Sequence, residues 1–144
     1  MSPTKIIIHH SLTEDGATVS WNAIRDYHVN VNGWADIAYH YGIELVGDRY
    51  DIFKGRMDNV AGAHCIGYND SSLGICLVGN FDLAPAPAAQ VELARKLCRS
   101  LMSIYGIKVD GVLGHRETYT LRGVPVEKTC PGSAFDMDAF RRSL

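Results

Sequence analysis

Lys5-Ile6-Ile7-Ile8-His9-His10 decides how this chain is read. Three consecutive β-branched residues favour an extended backbone, and apolar groups on both faces predict a strand covered on both sides. Leu73 to Val78 repeats that character and reads as a second central strand. Between them Trp21, Ile24, His28 and Val31 recur at steps of three and four. That spacing predicts a helix beginning at Trp21, with Ser20 as N-cap and Asn32-Gly33 as its end. Tyr39 to Val46 and Tyr50 to Lys54 flank the turn signal Gly47-Asp48 and read as a hairpin. Asn59 to Ser72, rich in Gly, Asn, Asp and Ser, reads as a loop, where binding residues concentrate. After Pro85 and Pro87 comes an apolar stripe of Val91, Ala94, Leu97, Leu101 and Ile104, widened by Leu93 and Cys98. It predicts a long helix from about Ala88 to Tyr105, stopped by Gly106. Gly111 to His115 can form one more short strand, and Met137 to Arg142 a last short helix. Strands interleaved with helices predict an α/β fold, a central mixed β-sheet flanked by helices, with residues 1–144 as a single domain.

A chain of 144 residues is long enough to bury a core without disulfides. With 47% hydrophobic and 21% charged residues it has the composition of an ordinary soluble protein. A formal net charge of -2 and the lack of any Lys/Arg run leave no electrostatic footprint for nucleic acid. The longest apolar runs are too short to insert into a membrane. Met1 to Lys5 leads directly into the Ile triplet without the pattern of a signal peptide. The expected location at synthesis is therefore the cytoplasm. Cys76 in a strand and Cys98 in a helix read as small buried hydrophobes, so the four cysteines are not expected to form disulfides.

Cys130 stands apart, between Lys128-Thr129 and Pro131-Gly132. With His9 and His115 it makes a set of two imidazoles and one thiolate, the donor types that zinc takes in tetrahedral sites. Three protein ligands would leave a fourth position open for water, as in catalytic zinc sites. No short CxxC or HxxxH pair is present, so only a folded core can bring the three together. Each also has a plain reading: a hydrogen-bonded core histidine, a strand end beside a surface Arg116-Glu117 pair, and an inert buried thiol. Adjacent strand residues point to opposite faces, so only one of His9 and His10 can face such a site. His28 and His40 read as structural.

Seven segments, in order, carry a resemblance. They are Ile8-His9-His10-Ser11, Ala38-Tyr39-His40-Tyr41, the stretch from Gly62 to Asn69, Ser72-Leu73-Gly74-Ile75, Val78-Gly79-Asn80-Phe81, Gly114-His115-Arg116-Glu117 and Lys128-Thr129-Cys130-Pro131-Gly132. From Lys5 to about Phe135 the chain resembles the zinc-dependent N-acetylmuramoyl-L-alanine amidases, whose fold is shared by phage amidase lysozymes and peptidoglycan recognition proteins. The resemblance implies one Zn2+ ion in a groove on one side of the sheet, held by His9, His115 and Cys130. It implies catalytic roles for Tyr39 and Lys128 and substrate contacts for His64 and Asn69. The implied reaction is hydrolysis of the amide between N-acetylmuramic acid and L-alanine in bacterial peptidoglycan. A receptor that binds muropeptide without cutting it is the alternative from another class, and a muropeptide-recycling amidase is the alternative within the enzymes. In the family, receptors typically lose the cysteine that is present here as Cys130. A single module of this length resembles phage endolysins, which reach the wall when a phage pore protein opens the inner membrane; no long exposed apolar stripe demands a partner, so a monomer is expected.

Overall fold

β1 (Lys5–His10) lies inside a five-stranded sheet of order β3-β2-β4-β1-β5 in the computed structural model, which describes residues 1–14 and 21–144. It pairs in parallel with β4 (Ser72–Leu77) on one side and β5 (Val112–Gly114) on the other. β4 pairs in parallel with β2 (Tyr41–Val46), which turns back antiparallel into β3 (Arg49–Lys54). The sheet is thus mixed and the α/β expectation holds. Ile6, Ile7 and Ile8 are fully buried, as a strand apolar on both faces must be.

The two faces divide the core. On one, Ile6, Ile8, Leu73, Ile75 and Leu77 pack against α2 (Ala88–Tyr105) and α4 (Met137–Arg142) through Ala94, Leu97, Leu101 and Phe140. On the other, Cys76 packs with Trp21 of α1 (Trp21–Asp26) and with Ile37. All four cysteines are free thiols. Among the described residues, no helix is long and apolar enough to cross a membrane.

Several boundaries differ from the sequence expectation. Tyr39 and His40 precede β2 rather than belong to it. The first helix leaves α geometry after Asp26 and continues as a π-helical turn, Tyr27–Val31, which leaves Val31 exposed. Ser20, the expected cap, lies outside the described residues. Ile104 is exposed, because at the end of α2 it is Tyr105 that turns inward, its hydroxyl donating to Asp58 at 2.6 Å. Gln90, in the first turn of α2, is instead fully buried, its amide donating to the carbonyls of Ile43 and Val78. β5 ends at Gly114, and His115 opens a helix the sequence did not reveal, α3 (His115–Leu121). The Glu117 carboxylate accepts the Gly114 amide at 2.7 Å, the acidic half of a capping box.

The outer edge of β5 is closed by side chains. Arg141 donates to the Val112 carbonyl at 3.2 Å and forms two 2.8 Å bonds with Glu117. An exposed strand edge would otherwise be a template for pairing with another chain.

Ile75 sits in the central strand, fully buried against the α2 face. Ile75→Ala should cost about 2–5 kcal/mol in equilibrium urea unfolding, with the denaturant slope unchanged. A loss below about 1 kcal/mol would show that this layer is not the core.

Candidate metal centre

Strand register assembles the first two donors. Ile8 lies opposite Gly114, so His9 on β1 and His115 after β5 become neighbours at the carboxyl ends of parallel strands. Ligands of open α/β sheets bind at that end. The rings of His9 and His115 are 4.7 Å apart between centroids. The 128–132 loop brings the third donor, with Cys130 Sγ 3.5 Å from His9 Nδ1. One donor atom from each of His9, His115 and Cys130 lies within 4.8 Å of the others. His10 turns to the opposite face, where its Nδ1 accepts the Phe81 amide and its ring meets the Phe81 ring.

Two residues that the sequence reading missed hold the cysteine loop. The Arg116 amide donates to the Cys130 carbonyl at 2.7 Å. Its guanidinium donates to the carbonyls of Thr129, Gly132 and Phe135. Asp82 accepts the Thr129 hydroxyl at 2.9 Å and the Ser133 amide at 2.8 Å. Arg116 and Glu117 are therefore not a surface pair; each is bonded elsewhere. The signal for Arg116 was its place beside His115, whereas nothing local in the sequence marked Asp82.

Burial sets the charge state of the centre. It holds the His9 pKa well below the ordinary imidazole range, with further lowering by His64 and His115. Burial, followed by Lys128, brings His115 down to about 4. Burial pushes the Cys130 thiol up to about 12, although the His10 backbone amide and Lys128 pull the other way. At neutral pH, then, two imidazoles present lone pairs and a thiol waits for a cation to displace its proton. A nitrogen-rich set with one sulfur suits zinc, and the donors open onto a groove of about 440 Å³ that can admit water and substrate.

The other expected residues divide between groove and interior. The Tyr39 ring lies 5.2 Å from the His9 ring and lines the groove. Burial, then the neighbouring Cys76 and Cys130, holds its phenol well above the usual value, so it keeps its proton. Lys128 is exposed at the groove. His64 is buried behind His9, its Nδ1 2.9 Å from His9 Nε2, and still forms part of the groove lining. Asn69 is not in the groove lining; its Oδ1 accepts the amides of His64 and Cys65, both at 2.8 Å, and so braces their turn. His40 is structural as read, bonded to the Gly74 amide and the Val60 carbonyl. His28 is structural in part: its Nδ1 accepts the Ala38 amide, yet its ring lies beside that of Trp34 in the groove wall. A larger hollow of about 670 Å³ lies under α3 and α4, but its Glu117 and Arg141 are committed to each other.

A family model described as N-acetylmuramoyl-L-alanine amidase matches residues 1–133. The endolysin of Klebsiella phage KP32 is 31% identical over 137 residues, 93% of this chain and 82% of that protein. The N-acetylmuramoyl-L-alanine amidase LysC from Clostridium intestinale superposes with a TM-score of 0.81 at 28% identity, covering 98% of this chain and 84% of that one. A mutant of Drosophila PGRP-LB in complex with tracheal cytotoxin gives a TM-score of 0.74 at 31% identity, with 94% and 79% covered.

Because the imidazoles stay neutral and Cys130 is a thiol, uptake of a divalent cation at neutral pH should release about one proton per ion. Affinity should accordingly rise about tenfold per pH unit through neutrality. Titration calorimetry in buffers of different ionisation enthalpy reads the number directly. Below about pH 6, where a metal-bound water keeps its proton, no release would exclude Cys130 as a ligand, and release of two or more would contradict neutral imidazoles.

Proposed function

The chain belongs to the N-acetylmuramoyl-L-alanine amidase family, and from that premise we propose that His9, His115 and Cys130 hold a single zinc ion. Its reaction is hydrolysis of the peptidoglycan amide that joins N-acetylmuramic acid to L-alanine. Residues 1–144 act as one catalytic domain. The observation that carries the zinc reading is the convergence of the three donors, from separate parts of the chain, to within 4.8 Å at the groove.

Zinc bound there supplies Lewis acidity, bringing the pKa of a water to about 7 and polarising the scissile carbonyl. The protein's own groups do the rest. Lys128 extends its ammonium at the groove, where negative charge develops on the carbonyl oxygen as the amide is attacked. Tyr39 keeps its proton, its phenol hydrogen-bonded to Cys76 beside His9, and so stands at the groove as a donor for the reacting amide rather than as a base. His28 and Trp34 form a wall against which the substrate lies. His64 reaches the groove lining but has both ring nitrogens engaged, and Asn69 lies outside the lining with its Oδ1 engaged, so the groove offers substrate little from either beyond the His64 ring surface.

Likeness to the Klebsiella phage KP32 endolysin supports a lytic role at the cell wall. In that role a separate phage pore protein gives the enzyme access to its substrate.

Purified protein should release peptides beginning with L-alanine from peptidoglycan, as read by mass spectrometry. Chelator should abolish the release and added zinc restore it. Wall binding without cleavage when zinc is supplied would overturn the enzyme reading in favour of a receptor. Lys128→Ala should lower kcat by about 10²–10³ with zinc content unchanged, and Tyr39→Phe by about 10² or more. A raised KM with normal kcat would demote either group to substrate binding.

A further inference from the structure

We propose that His64 is a positioning residue that fixes the tautomer of His9, so that His9 Nδ1 presents a lone pair to the metal. The role rests on the zinc reading above. The relay starts at a backbone carbonyl, a group that can only accept. Ser72 Oγ donates to the Tyr68 carbonyl at 2.7 Å. With that hydrogen spent, Ser72 Oγ faces His64 Nε2 as an acceptor, at a long 3.5 Å. His64 therefore carries its proton on Nε2, and its Nδ1 is a lone pair. That lone pair lies 2.9 Å from His9 Nε2, which must then be the donor. His9 Nδ1 is left bare, on the side where Cys130 Sγ lies 3.5 Å away. The direction of every proton in the relay follows from the Tyr68 carbonyl. A second hydrogen bond of this kind orients a metal-bound imidazole and raises its basicity.

The slot that holds the His64 ring is built for immobility. A Cβ on Gly74 would come within 2.7 Å of the ring, and one on Gly62 within 2.4 Å. His40 meets it edge-on, with centroids 5.7 Å apart at 84°, and is itself pinned at both nitrogens. Asn69 secures the backbone from below by accepting the His64 amide. The segment from Gly62 to Gly74 thus places one nitrogen behind one ligand.

Two substitutions of similar shape separate hydrogen bonding from packing. In His64→Asn the side-chain oxygen takes the place of Nδ1 as acceptor; in His64→Leu nothing does. Zinc affinity, read by competition with a chromophoric chelator, should fall about 10–100-fold in His64→Leu and stay close to wild type in His64→Asn. In the metal-free protein, ¹⁵N imidazole NMR should show His9 protonated at Nε2 in the wild type and a tautomer mixture in His64→Leu. Equal affinities in wild type and both variants would overturn the proposal, as would equal losses in the two variants. Wild-type protein that takes up no zinc would overturn the zinc reading. The NMR result still judges the relay in that event, because a His9 protonated at Nδ1 in the metal-free wild type refutes it.

Discussion

The parallel register between β1 and its two neighbours is the constraint from which the site follows. Parallel pairing sends all the strand ends to one edge of the sheet, and Ile8 opposite Gly114 makes His9 and His115 adjacent there. A shift of one residue would turn His9 toward α2 and bring His10 to the groove. The fully buried isoleucines of β1 forbid that shift, because their shapes are matched to the cores on both faces. Hydrophobic packing far from any chemistry thereby sets which imidazole faces the groove.

Burying several imidazoles in one layer is costly unless each is neutral and bonded. The fold meets that requirement by giving each ring a defined neighbour. His40 spans the Gly74 amide and the Val60 carbonyl, His28 accepts from Ala38, and His64 lies between Ser72 and His9. His115 differs, being half-buried and stacked on Tyr119. The two candidate donor imidazoles are thus held by different means, His9 by its contact with His64 and His115 by ring contact at the start of a helix.

Much of the fold was legible because its signals are local. The Ile triplet, the α2 stripe and the Gly47-Asp48 turn each report conformation within a few residues. α3 was not legible, since seven residues with one helix-capping acid give too little periodicity to read. Ile104 fitted the stripe by spacing, but Tyr105 had a distant partner in Asp58 that no periodicity reveals. At the site, residue types pointed to donors, whereas partners could not be read. Arg116 bonds to carbonyls as far along as Phe135, and Glu117 to Arg141. His64 had the composition of a loop contact; its inward aim depends on the narrow space left by Gly74, a fact of tertiary structure alone.

His9 and Cys130 are 121 residues apart, yet their donor atoms nearly touch. Almost the whole polypeptide must be correctly threaded before the two can share an ion. A truncated product lacking either segment, or a chain caught with β1 unpaired, has no complete donor set. The centre is therefore a sensor of integrity: a fragment that lacks either segment lacks part of the donor set, however well the rest of it folds.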